Sequence, residues 1–337
     1  MNMSKSRRAF LRDCGLVGAT IAGSSMVPAI AFAEQSKKRK ELTMYGPPVG
    51  PSVTLAHAAE TDALSGLVEN LNFNTYRDPD VLRTQFISGR WDLAGTPSYV
   101  AANLYNKGMK VRLMNIMTWG LLYIISADGS VKTIEELKGQ DIVMPFKGDM
   151  PDLVFQHIAK EKGMEDGKDY RLNYVGTPFE GLQLLLSGRA KHAVLPEPAA
   201  TAALLKGMKA AKKMNRAVSL QDAWGEVTGG AARIPQAGMM ISEALLNEMP
   251  DLPDRLNASL ARSTQWVVNN PTSAGRLGES YLSLKAPVIE RSIPYSNFTL
   301  EKAKDIQPEI ERFFSILAKS NPGIIGGRLP DDDFYLG

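Results

Sequence analysis

Four prolines stand where helices begin, in Thr96-Pro97-Ser98, Met150-Pro151-Asp152, Thr177-Pro178-Phe179-Glu180 and Glu197-Pro198-Ala199. Proline at a first helical position forfeits only an N–H that has no partner inside the helix. Each proline therefore marks a helix N-terminus, where unpaired N–H groups and the positive end of the dipole favour negative charge. Hydroxyls at Thr96, Ser98 and Thr177 beside such groups are able to hold a carboxylate, sulfonate or nitrate, and serve equally as plain N-caps. Thr177 and Glu180 have capping-box spacing, which assigns Glu180 to the helix rather than to a ligand. Glu197 would repel an anion and suits an ammonium group. Lys147, in Phe146-Lys147-Gly148-Asp149, and Arg233, after Gly229-Gly230, are candidate counter-charges, with solvated surface as the other reading. Gly148 and Asp149 belong to the same candidate loop. Tyr45 and Trp119 each adjoin a glycine, where backbone can approach a ligand, and are favoured over Tyr99, Phe146 and Phe179 as aromatic contacts.

Catalytic and metal chemistry find little support. The three histidines, His57, His157 and His192, form no metal-binding or metalloprotease spacing, and His192 reads as a satisfied core residue. Nucleophile-elbow, phosphate-loop and dinucleotide-binding patterns are absent. No catalytic residue, metal or cofactor is expected. The single cysteine, Cys14, lies in residues 1–33, which have the layout of an export signal: a basic start with Arg7-Arg8, an apolar stretch, then Ala31-Phe32-Ala33. The start resembles a twin-arginine signal, with cleavage expected after Ala33 and no lipid anchor. Removing its four basic and one acidic residues from totals of 39 and 36 leaves 35 of each, so the mature chain is formally neutral. Nothing in that balance points to nucleic acid, and Lys37-Lys38-Arg39-Lys40 reads as a solvated linker.

From Leu42 onward, short apolar strands alternate with amphipathic helices, which predicts a parallel, doubly wound α/β arrangement. Ser52 and Asp78 are read as N-caps, and the segments 242–269, 273–284 and 300–319 as helices. An echo recurs at an offset of 99 residues: Ser88-Gly89-Arg90 as Ser187-Gly188-Arg189, Ala94 as Ala193, Pro97 as Pro196 and Lys107-Gly108 as Lys206-Gly207. The chain thus reads as two related lobes. Lobe 1 is discontinuous, 34–128 and 230–337, and lobe 2 is 129–229, so two hinge segments cross between them and leave a ligand cleft that opens and closes.

Three segments carry a family resemblance: Lys132-Thr-Ile-Glu-Glu-Leu-Lys-Gly-Gln-Asp-Ile-Val, Glu180-Gly-Leu-Gln-Leu-Leu-Leu-Ser-Gly-Arg-Ala-Lys-His-Ala-Val-Leu-Pro-Glu-Pro, and the tail with Trp266-Val-Val-Asn-Asn-Pro and Asn321-Pro-Gly-Ile-Ile-Gly-Gly-Arg-Leu-Pro-Asp-Asp-Asp-Phe-Tyr. They resemble the periplasmic solute-binding proteins of nitrate, sulfonate, taurine (NitT/TauT) and thiamine-precursor ABC importers. The resemblance implies a type II periplasmic-binding-protein fold and a monomeric receptor that delivers solute to an inner-membrane permease and its ATPase. By position it places ligand contacts at 45–51, 96–98, 119, 147–150, 177 and 197. Lys191-His192 stands where members often carry Asp. The ligand, nitrate, sulfonate, taurine, pyrimidine or another small solute, stays open. So do two rivals: an enzyme on the same fold, whose Cys-rich motif this chain lacks, and a ligand-presenting sensory partner.

Overall fold

The computed structural model describes residues 38–61, 64–77 and 79–337; the expected signal at 1–33 and the Asp78 cap lie outside the described residues. The chain first runs through β1 (Arg39–Gly46), α1 (Ser52–Glu60), β2 (Val68–Thr75), α2 (Pro79–Ile87), β3 (Leu93–Pro97), α3 (Ser98–Asn106), β4 (Val111–Leu113) and β5 (Asn115–Thr118). It then enters β6 (Leu122–Ser126), β7 (Asp141–Pro145), α4 (Met150–Glu161), β8 (Arg171–Val175), α5 (Pro178–Ser187), β9 (His192–Pro196), α6 (Ala199–Lys209), β10 (Asn215–Ser219) and α7 (Leu220–Thr228). It closes with β11 (Ala237–Ser242), α8 (Glu243–Glu248), α9 (Leu252–Asn269), α10 (Pro271–Leu282), α11 (Ala286–Ser292), β12 (Phe298–Lys302) and α12 (Gln307–Ser320).

These strands form two sheets, β12-β5-β11-β3-β1-β2 with β4 beside β11, and β10-β6-β9-β7-β8. The order is the same in both: β2-β1-β3-β11-β5 in one lobe matches β8-β7-β9-β6-β10 in the other. In each, the strand that arrives from the other lobe, β11 or β6, runs antiparallel to its neighbours. The sheets are therefore mixed rather than wholly parallel, because a returning hinge must enter against the parallel set. The 99-residue echo coincides with β3 and β9, at 93–97 and 192–196, and Gly89 and Gly188 both take left-handed φ, +66° and +76°, after the preceding helix.

Central strands β3, β7 and β9 are buried at nearly every position, as expected for strands covered by helices on both faces. The apolar face of α12, Ile310, Phe313, Phe314 and Leu317, packs inward, with Phe313 edge-on to Trp224 of α7 at 5.6 Å. No helix among the described residues is long and apolar enough to cross a membrane.

Several local expectations are corrected. Ser52 is inside α1, not its cap: Pro51 is already helical, and Ser52 Oγ donates to the Pro47 carbonyl at 2.5 Å. The helix expected over 242–269 breaks between α8 and α9, where Pro250 ends one pattern and Pro253 opens the next. Residues 298–302 form an edge strand on β5, so the last helix starts at Gln307 rather than Leu300. Arg39 and Lys40 open β1 instead of a linker, and Arg39 pairs with Glu248 at 2.7 Å. The chain changes sheets between Thr118 and Leu122, ahead of the boundary expected at 128/129, because β6 pairs with β9. His192 is buried with neither ring nitrogen hydrogen-bonded, and burial holds its pKa below the usual imidazole range.

Gly238 in β11 shows how tightly the first sheet is threaded. A β-carbon there would lie 1.6 Å from the Asn115 carbonyl oxygen. The buried Asn115 side chain in turn accepts Met239 N–H at 2.9 Å and donates to Asn257 at 2.6 Å. Gly238→Ala is expected to cost about 3 kcal/mol or more through this overlap, read as a lowered urea midpoint; an unchanged midpoint would contradict the packing described.

Candidate functional site

The two crossings between lobes lie side by side. Trp119 O accepts Ile234 N–H at 2.9 Å, and Thr118 O accepts Gln236 N–H at 3.2 Å. The Gln236 side chain adds a bond from Leu121 N–H at 3.0 Å. Ser98, at the start of α3, donates through Oγ to Pro235 O at 2.6 Å and through its N–H to Gln236 O at 3.0 Å. A third segment joins them: Trp119 N–H donates to Asn297 O at 3.0 Å, and Asn297 Nδ2 to Gly120 O at 2.8 Å. Gly120 holds φ +108°, and a β-carbon there would meet the Gln221 side chain at 3.0 Å. Bulk and conformation both select glycine at this point.

The carboxyl ends of the parallel strands and the N-termini of the following helices face the hinge, which is where ligands bind in open α/β sheets. On the lobe 1 side, Tyr45 stacks on Trp91 with ring centroids 3.8 Å apart. Thr96 is buried at the end of β3, its Oγ1 3.4 Å from the Pro97 carbonyl. On the lobe 2 side, Lys147 is exposed, with Nζ 5.0 Å from the Tyr174 ring centroid. Gly148 takes φ +72° and gives its N–H to Asp152 at 2.8 Å. Phe146, two residues earlier, holds φ +59°, which is uncommon for a bulky side chain. Asp149 caps α4 through Met150 N–H at 3.2 Å. The Tyr99 hydroxyl of α3 lies near this carboxyl and draws its pKa downward. Burial pushes the Asp149 carboxyl above the usual carboxylate range, against the pull of the Tyr99 hydroxyl and the nearby Arg83.

The structure brings some expected residues together and commits others elsewhere. Trp119 and Arg233 meet: the guanidinium lies 4.2 Å over the indole, whose Nε1–H donates to Glu301 at 2.9 Å. Arg233 is not a spare counter-charge, because Glu309 holds it in a two-point pair at 2.8 and 2.6 Å. Ser98 is a hinge fastener, and both its donors are in use. Thr177 caps α5 at the exposed end of β8, and Glu180 closes the box onto Gly176 N–H at 2.9 Å. Glu197 does not offer itself to an ammonium group. It is fully buried, paired with Arg216 at 2.5 and 2.8 Å, and accepts Thr201 N–H at 3.1 Å. Burial raises its carboxyl pKa, with Arg216 opposing. Arg216 in turn lies 3.5 Å over Tyr295 of lobe 1.

A pattern in lobe 2 was not anticipated. Carboxylates of the chain itself sit at the N-termini of α4, α5 and α6: Asp149 and Asp152, Glu180, and Glu197. Ser219 Oγ caps α7 by accepting Asp222 N–H at 3.3 Å. Much of the N–H array expected to hold an oxyanion is thus already engaged. Sequence reading also missed Arg216, Gln221, Gln236, Asn297, Glu301 and Glu309, none of which stands in a local motif.

No protein-family model matches the chain, and no curated protein matches it by sequence. Its structure is similar to that of an ABC transporter from Parabacteroides distasonis, with TM-score 0.71 at 24% identity over 88% of this chain and 98% of that one. It is also similar to the periplasmic aliphatic sulphonate binding protein SsuA from Escherichia coli, with TM-score 0.67 at 14% identity, covering 88% and 99%. The periplasmic nitrate-binding protein NrtA from Synechocystis PCC 6803 aligns with TM-score 0.57 at 13% identity, covering 75% and 70%. The fold is accordingly that of the periplasmic binding proteins, two mixed sheets of matching strand order joined by two crossings.

Two measurements test this electrostatic picture. A carboxyl whose pKa is raised on folding contributes stability fully present below its unfolded value of 3.8 and lost as pH rises through the folded value. Asp149→Asn is therefore expected to melt above the parent near pH 7, with the advantage fading toward about pH 4; a difference constant with pH would refute the assignment. Arg216→Met strands the Glu197 charge and should cost about 3–5 kcal/mol, partly restored by adding Glu197→Gln. Urea melts of the three variants read this, and an equal loss with or without Glu197→Gln would count against it.

Proposed function

We propose that this chain is the solute-binding component of an ABC importer. The carrying observation is the pair of matched lobes crossed twice at one hydrogen-bonded hinge. The strand ends and helix starts of both lobes face that hinge, so a small solute is able to touch both lobes only when they close. Binding then shifts the population toward the closed form, which an inner-membrane permease with its cytoplasmic ATPase would read. The likeness to sulfonate- and nitrate-binding proteins supports this reading and suggests a small oxyanionic or organic solute.

The reading includes export to the periplasm by the twin-arginine route, cleavage after Ala33, action as a monomer, and no cofactor or catalysis of its own. Lobe 1 carries the first sheet and lobe 2 the second. Tyr45, Thr96, Trp119, Lys147, Gly148, Asp149 and Thr177 remain the proposed cleft-side set. Ser98, Arg233 and Glu197 act by fastening the hinge and its neighbours.

A thermal-shift screen against nitrate, alkanesulfonates, taurine, pyrimidines, amino acids and carboxylates tests this directly. A true ligand at a hundred times its Kd should stabilise by about 2.7 kcal/mol, and small-angle scattering should show a smaller radius of gyration in its presence. Turnover of any panel member, or stabilisation without closure, would contradict the receptor reading.

A further inference from the structure

Once helix caps and ion pairs are assigned, one buried donor beside the hinge is left over among the described residues. Gln221, in the first turn of α7, is 1% exposed. Its Oε1 accepts Leu122 N–H at 3.1 Å, and its Nε2 has no hydrogen-bond partner. Turning the amide round gives no relief, because the NH2 group would then oppose the Leu122 N–H, donor against donor. The side chain lies along the first crossing, where a β-carbon on Gly120 would be 3.0 Å from Oε1 and 3.1 Å from Cβ. The other unpartnered buried side-chain atoms lie elsewhere. His192 and Asn215 open β9 and β10, at the ends away from the hinge. Ser259 and Thr264 are on α9, and Asn106 and Tyr335 are in the region of the C-terminal segment. A buried donor left unmade forfeits its hydration without return, and native proteins rarely keep one without a water, ion or ligand to fill it.

Resting on the receptor reading above, we propose that Gln221 recognises the solute, its Nε2 donating to an acceptor oxygen beside the positive N-terminus of α7. The solute class follows: a compound presenting an oxygen acceptor, such as a sulfonate, nitrate or carboxylate, rather than an amine that offers only donors. Gln221 also carries the reading into the hinge, since the same amide grips Leu122 at the start of β6. A solute that engages Nε2 fixes the amide and, through Oε1, the first crossing.

The test uses the purified protein labelled with nitrogen-15 and titrated with sodium ethanesulfonate, sodium nitrate, sodium acetate and, as an oxygen-free control, tetramethylammonium chloride. The Gln221 side-chain NH2 pair is assigned as the one missing from Gln221→Glu, a variant that keeps the acceptor for Leu122 N–H and removes the donor. The expected result is that this pair shifts in step with binding of an oxygen-bearing probe, and that Gln221→Glu binds the same probe at least tenfold more weakly. Backbone resonances that titrate while the pair stays fixed, as a trapped water would leave it, overturn the inference and leave the receptor reading intact. Binding of tetramethylammonium alone does the same. No titrating resonance with any of the four salts overturns both. If Gln221→Glu fails to fold, the pair is assigned in the parent protein from nuclear Overhauser contacts to the Leu122 N–H and Gly120 beside it, and its behaviour there decides the matter.

Discussion

A chain that leaves one sheet for another carries its N–H and C=O groups away from any ladder, and buried groups of that kind must be satisfied. Here each crossing serves as ladder for the other: Trp119 with Ile234, Thr118 with Gln236, and Leu121 with the Gln236 side chain. Ser98 and Asn297 tie this pair to the body of lobe 1. The placement of both sheets, the antiparallel entry of β6 and β11, and the meeting of strand ends across the cleft all follow from this mutual arrangement.

Local chemistry was legible from the residues. Prolines at helix starts, glycines in left-handed positions after helices, and the Thr177–Glu180 box each act within a few residues, so their signatures survive without tertiary context. The 99-residue echo was legible because β3 and β9 hold the same place in the same strand order. What was illegible depends on distant partners. Ser98 finds Pro235, Trp119 finds Glu301, and Arg233 finds Glu309 at sequence separations of 137, 182 and 76. Residue type announced that Ser98 could cap, Arg233 could pair and Glu197 could bind a cation; only the fold decided which option each would take. The membership of β6 was illegible for the same reason, since a turn at Gly129 is a local cue whereas β6 is placed by its pairing with β9. Residues 300–302 read as part of a helix, whereas the edge of β5 holds them in a strand.

The balance of 35 basic and 35 acidic residues after position 33 conceals an uneven distribution. In lobe 2 the helix N-termini hold carboxylates, each placed where the dipole stabilises it. This arrangement secures the helices while leaving fewer backbone donors for an incoming anion. Side-chain donors and aromatic faces such as the Tyr45–Trp91 stack stay outside that engagement.

The first sheet draws its strands from two separate stretches of chain, which bears on the order in which the molecule is built. The second sheet comes from one uninterrupted stretch, β6 to β10, so the whole of it is available as soon as β10 has been synthesised. The first sheet is different: β3 ends at residue 97, and the strand that covers its flank, β11, begins at residue 237. During translation a strand that is buried in the finished sheet therefore waits through about 140 residues with one edge unpaired, the condition in which strands recruit other chains. The sheet whose first strand is made first is thus the one completed last, with β12 at residues 298–302.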